Sequence, residues 1–437
     1  MEVKLRSYPK YKDVNLPWLS RIPAHWDLMR MKYLFSERVQ KGYPNEPLLS
    51  ATQTKGVVRQ EKYEHRTMTA TRNFHSLKLV EPKDFVISLR SFEGGIEIAH
   101  DRGIISSAYT ILKPGPQVCH GYFTHLFKSA PFIDNLSLHV TGIREGQNIN
   151  YGSLSRSEIP VPPPEEQQAI GRYLDIKVKE ATRLIRAKQR LIELLNEQKQ
   201  AIIQRAVTRG LEPDVPMKSS GVDWLGDVPE HWEVRRLKYL CDIGTGGRDT
   251  VDRVENGEYP FFVRSQTPER INTYSYDGEA VLTAGDGAGV AKVFHYVNGK
   301  FDYHQRVYRF SDFREVLGKF FFYYVSSNLK YQVLRLSAKS TVDSLRLPML
   351  QNFDVVLPPI IEQQEIVAFV EQSTNHLDAV IDRAQSEINL IREYRTRLIA
   401  DVVTGKLDVR DVELPDEVEG VGVHETEYMG GMPKEAA

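Results

Sequence analysis

The chain is 437 residues long, more than one ordinary core accommodates, so two domains of roughly 150–200 residues are expected. Hydrophobic residues make up 41% and charged residues 26%, the composition of a soluble globular protein, and no stretch approaches the run of about 18 apolar residues that a membrane span needs. The net charge is −1, but from Asp411 onward there are eight acidic residues and one lysine, which leaves +6 on the remainder. A mildly basic body permits phosphate binding without establishing it.

In chain order, the N-terminus MEVKLRSYPKYKD lacks the apolar core of a signal peptide, and a cytoplasmic location is expected. Residues Trp18–Leu34 read WLSRIPAHWDLMRMKYL, and Trp224–Leu240 read WLGDVPEHWEVRRLKYL, an offset of 206. A second pair, PPPEEQQAI at Pro162–Ile170 and PPIIEQQEI at Pro358–Ile366, repeats at an offset of 196. The chain is an internal repeat whose frames match and whose inserts, about 39–159 and 242–356, do not.

The inserts read as mixed α/β. Phe85–Leu89, Gly103–Leu112, Tyr259–Val263, Ala280–Thr283, Val290–Tyr296 and Arg306–Phe310 are β-branched or aromatic runs bounded by turn residues. Gly285–Gly289 could be taken as a phosphate-cradling loop. The adjoining AKVFHYV is strand-like where a dinucleotide fingerprint needs a helix, so a tight hairpin turn is expected.

Each PPxxEQQ opens a long segment of helical period. Prolines set the boundary, glutamates sit in the first turn where the helix dipole favours them, and Gly210 and Gly405 stand at the capping positions. About 40 residues is roughly 60 Å of helix, whose apolar stripe needs a partner. The seam of an intramolecular coiled coil is therefore expected from Leu174, Leu184, Leu191, Leu195 and Ile202 in the first helix and Leu377, Val380, Ile388, Ile391 and Leu398 in the second. The Gly- and acid-rich residues after 410 read as a disordered tail.

Catalytic chemistry is not evident. There is no GxxxxGK[ST] for nucleotide hydrolysis and no Asn-Pro-Pro-aromatic sequence to hold a flipped adenine. The one nuclease-like fragment, Asp175-Ile176-Lys177, lies in a helix. His25 and His231 precede repeated tryptophans, which points to a core or inter-element role. Cys119 and Cys241 stand far apart, one per half, so neither a disulfide framework nor a zinc site is expected.

Groups suited to DNA are better supplied. The first insert carries Thr52, Gln53, Lys55, Arg90, Ser91, Arg102, Arg144, Gln147 and Asn148; the second carries Arg264, Ser265, Gln266, Thr267, Lys292, His304, Gln305 and Arg306. Arginine matches guanine O6/N7, glutamine or asparagine matches adenine N6/N7, and serine, threonine and lysine hold phosphates.

The frame W-L-x-x-[IV]-P-x-H-W, the PPxxEQQ helix entry and their double occurrence together resemble the specificity subunits of type I restriction–modification systems, over residues 8–410. YPFFVRSQTPERINTYSYDGEAVLTAGDG followed by GKFDYHQRVY is similar to sequences in that family's recognition domains. The resemblance implies two α/β target recognition domains, residues 1–160 and 210–357, joined by two long antiparallel helices at 161–209 and 358–410 in pseudo-two-fold arrangement. Each domain would read one half of a bipartite double-stranded DNA target. The subunit itself would hold no cofactor or metal. S-adenosylmethionine, ATP and magnesium would belong to its partners, two adenine methyltransferase subunits and the restriction/translocase subunits. A self-sufficient DNA-modifying enzyme and a coiled-coil protein scaffold are the alternatives; turnover by the chain alone would mark the first, and absence of salt-dependent DNA affinity the second.

Overall fold

The computed structural model describes residues 5–62, 74–142, 148–337 and 344–414. Two compact units emerge: residues 1–189 with 386–437, and residues 190–385. The first long helix, Pro164–Arg209, and the second, Ile360–Val403, each contribute one stretch to each unit. Among the described residues no helix is long and apolar enough to cross a membrane.

Each frame closes on itself through a two-stranded ribbon. Asp27–Arg30 pairs antiparallel with Glu158–Val161, Asp27 opposite Val161. Glu233–Arg236 pairs with Asp354–Leu357, Glu233 opposite Leu357. Applying the two sequence offsets to the first ribbon reproduces the register of the second, so the duplication holds at the level of individual backbone pairs. An insert therefore leaves the frame and returns to it at adjacent positions, immediately before the helix begins.

A buried knot fastens ribbon to helix. Glu166, in the first helix's opening turn, accepts hydrogen bonds from Tyr8 Oη (2.6 Å), His25 Nε2 (2.7 Å) and Trp26 Nε1 (2.9 Å). Glu362 repeats the arrangement with His231 Nε2 (2.8 Å) and Trp232 Nε1 (3.0 Å). Both indoles are fully buried and require an acceptor, and a carboxylate at a helix N-terminus is favoured by the dipole. The next residue staples the loop before the short helix His120–Phe127 to the long helix's own entry: Gln167 Oε1 accepts from Cys119 N while Nε2 donates to Gln117 O and Pro162 O. Gln363 does the same with Leu317 N, Glu315 O and Pro358 O. The repeated histidines and tryptophans thus have the inter-element role expected of them.

The caps complete each knot. Gly210 and Gly405 both sit at φ +76°, the left-handed geometry of a helix-ending glycine. A Cβ at Gly405 would come within 2.3 Å of Pro23 and 3.1 Å of Trp26; one at Gly210 would lie 3.3 Å from Trp232. Each unit therefore gathers the start of one long helix and the end of the other around one tryptophan.

Within each unit the helices run antiparallel. In the first, Ile170, Tyr173, Leu174 and Val178 share a core with Leu398, Ile399, Val402 and Val403, and Lys188 pairs with Glu387. In the second, Ile203, Ala206 and Val207 share a core with Ile366 and Val370, and Lys199 Nζ lies 2.6 Å from Asp378. Leu174, Leu377, Ile388 and Leu398 are buried as expected, and Leu195, Ile202, Val380 and Ile391 are half-buried. Leu184 and Leu191 are not in the seam; they are 47% and 41% exposed, and Ile185 and Ile192 face inward instead.

The second insert forms a six-stranded sheet in the order Asp242–Thr245, Val307–Ser311, Tyr276–Ala284, Phe294–Tyr303, Tyr259–Phe262, Glu269–Ile271. The helix Gly318–Ser337 comes next in the chain. The first insert has a four-stranded sheet, Phe35–Glu37, Thr110–Pro114, Phe85–Ile87 and Glu97–Ile98, with small two-stranded ribbons around it. The run at Gly103–Leu112 is two strands rather than one, broken at Ser106–Tyr109. The glycine segment does join two antiparallel strands, but through residues 285–293 with a short 3₁₀ turn at Gly287–Gly289, so the hairpin is not a tight one.

Two stability measurements check these assignments. Glu166→Ala strands two buried donors, Tyr8 and Trp26, and is expected to cost about 2–4 kcal/mol in urea unfolding, against about 1 kcal/mol for the more exposed Glu362→Ala. Ile185→Asp is expected to cost about 3 kcal/mol, whereas Leu184→Asp stays within about 0.5 kcal/mol; equal effects would contradict the observed helix phase.

Candidate nucleic-acid interface

In the first insert the polar candidates divide by burial. Thr52 is buried: its Oγ1 donates to Gly56 O (2.9 Å) and accepts from Lys55 N (2.9 Å), holding a tight turn. Ser91 is buried too, its Oγ accepting from Ser88 N (2.8 Å). Both are buried and brace their loops from within, unlike the exposed candidates beside them. Gln53 and Arg90 remain exposed on those same loops, and Lys55 is half-buried. Arg102 lies between Glu46 (2.9 Å) and Glu81, so its local charge is net negative. Asn148 is exposed on a short strand; Arg144 and Gln147 lie outside the described residues.

Lys128, which sequence reasoning passed over, ties the two exposed loops together. Its ammonium donates to Gln53 O (3.2 Å), to Gly94 O (2.9 Å) and to the buried Glu97 carboxylate. Burial pushes the Glu97 carboxyl up to about 7 against the pull of Lys128, and burial also pushes the lysine down. Neither residue carries a sequence signal, because Glu97 sits in an apolar strand and Lys128 follows an apolar helix.

In the second insert three loops converge. Asp286 Oδ1 accepts from Arg264 Nη1 (3.0 Å) and Oδ2 from Arg306 Nη1 (2.5 Å). Burial raises the Asp286 carboxyl, but the Arg306 and Arg264 hydrogen bonds outweigh it and hold it below the usual range. Gln266 Nε2 donates to Lys292 O (2.8 Å), Ser265 Oγ to Thr267 O (2.6 Å), and His295 Nε2 to Ser265 O (2.9 Å). Gln305 Nε2 reaches Asp249 Oδ2 at 2.9 Å. Arg264, Ser265, Gln266, Thr267, Lys292, Gln305 and Arg306 are all exposed. His304 is 3% exposed; its Nδ1 accepts from Arg306 N (3.0 Å) and desolvation lowers its pKa. It is buried and supports the loop from within. The structure thus brings seven of the eight second-insert candidates onto one exposed edge with a two-arginine, one-carboxylate centre. The acid in Gly285–Gly289 was the overlooked signal for that centre.

Residues 229–390 match the family model described as type I restriction modification DNA specificity domain. The type I restriction enzyme MjaVIII specificity subunit of Methanocaldococcus jannaschii is 23% identical over 361 residues, covering 76% of this chain and 81% of that protein. The EcoKI specificity subunit of Escherichia coli is 20% identical over 381 residues, covering 78% of each. The EcoDI specificity subunit, also from E. coli, is 25% identical over 182 residues, 42% of this chain and 40% of that protein. A solved chain from work on complex assembly and conformational transition of the type I R-M system has the same fold, with a TM-score of 0.61 and 18% identity over 88% of this chain and 99% of its own.

The Glu97–Lys128 pair gives a pH test. Glu97's value in the folded state, about 7, lies above its ordinary 4.5, so the folded state holds an extra proton between these limits. The resulting stability is complete below pH 4.5 and is lost as pH rises through 7. Unfolding midpoints of the native chain should fall across this window relative to a Glu97→Gln, Lys128→Met double variant; parallel curves would show that the carboxyl titrates normally.

Proposed function

We propose that this chain is a type I restriction–modification specificity subunit and reads a bipartite DNA target with one insert per half-site, a reading supported by the family-model match over 229–390 and by the similarity to curated specificity subunits. The observation that carries this reading is the pair of ribbons: two unlike inserts enter and leave matching frames in the same backbone register. Such a scaffold presents two different recognition surfaces from two equivalent mounts. Matching mounts also suit two copies of one partner, which we take to be adenine methyltransferase subunits. Restriction/translocase subunits would join that assembly. S-adenosylmethionine, ATP and magnesium are assigned to those partners, and this chain acts by binding and positioning.

Exchange of the first insert is the experiment. Replacing residues 39–159 with another specificity subunit's insert, then mapping methylated adenines genome-wide, should change one half-site and leave the other. Simultaneous change of both would reject the modular assignment. Light scattering of the co-purified methyltransferase complex should give two partners per chain; saturation at one would reject the symmetric mounts.

A further inference from the structure

The Arg264–Asp286–Arg306 centre has no explanation in stability. Arg264 and Arg306 side chains are 43% and 61% exposed, and ion pairs at such positions contribute little to folding. The carboxylate between them is only 15% exposed and is rigidly carried. Gly285 N donates to Arg306 O (2.8 Å), Leu345 N donates to Gly285 O (2.7 Å), and Asp286 bridges to Ser344. The loop bearing Arg264 is pinned to the same hairpin connection through Gln266 and Lys292.

Each guanidinium is held through one terminal nitrogen, Nη1, on a side chain that stays substantially exposed. A fork fixed at one edge can meet the O6 and N7 of guanine bidentately. The adjacent carboxylate repels phosphate, so it disfavours the backbone contacts that untethered arginines would otherwise make.

We propose that Asp286 is a positioning residue that converts Arg264 and Arg306 from general phosphate contacts into readers of guanine in the half-site of the second insert. This role rests on the DNA-reading function proposed for the chain. Removing the carboxylate frees both side chains and cancels one negative charge at the interface. Discrimination at one half-site should therefore fall while affinity for unrelated DNA holds or rises.

The test uses the full chain co-purified with its partner subunits and a randomised duplex library sequenced before and after binding. Asp286→Asn should reduce guanine preference in one half-site by about tenfold or more. The other half-site, an internal control for folding, should keep its preference. Asp286→Glu, which retains the carboxylate, should restore part of the lost discrimination. Arg264→Ala and Arg306→Ala should each relax a guanine position without flattening the salt dependence by the full phosphate increment. Unchanged preference in Asp286→Asn, or a uniform loss across all sequences, overturns the proposal. A native complex that selects no sequence at all would instead overturn the DNA-reading function on which it rests.

Discussion

The buried indole of each repeated tryptophan must have a hydrogen-bond acceptor, and in both frames that acceptor is a glutamate in the first turn of a long helix. This requirement fixes much else. The carboxylate is held by these side-chain donors and favoured by the unpaired N–H groups of the helix start, which ties the frame to that first turn. The glutamine one residue later reaches a loop within the insert, just before one of its helices, and the glycine ending the other long helix packs on the same tryptophan. One buried donor thus sets where the insert is mounted, where the helix begins and where the opposite helix stops.

The mounts are alike and the surfaces they carry are not. In the second insert two arginines share one carboxylate, and the local balance is positive. In the first, Arg102 is outnumbered by Glu46 and Glu81, and the exposed loops are organised from beneath by the buried Lys128–Glu97 pair. Electrostatics on one side and buried positioning on the other give the two surfaces different chemistry on a common frame.

Much of this architecture is legible in the residues themselves. Repetition exposes the frames, prolines and glycines mark the helix limits, and the missing catalytic motifs direct attention to binding. The helix phase failed at two positions for a definite reason: Leu184-Ile185, Leu191-Ile192 and Leu194-Leu195 place two apolar stripes side by side, and periodicity alone cannot choose between them. The burial of Thr52, Ser91 and His304 was not legible for another, since the groups that can touch a base also brace a loop, and residue type does not separate the two uses. Lys128 and Glu97 were invisible because a salt bridge between distant segments leaves no local pattern.

The two units differ in continuity. Residues 190–385 form one unit from a single stretch of chain, whereas the other joins residues 1–189 to 386–437, and Arg6 bridges to Asp408. During synthesis the N-terminal segment emerges first but lacks Leu398, Ile399, Val402 and Val403, which belong to its core. Vectorial folding therefore runs against chain order: the middle of the polypeptide can complete its core before the beginning can. Until the second long helix is made, the N-terminal half carries an uncovered apolar face, and a stop at residue 386 would strip that unit of its cover while leaving residues 190–385 intact.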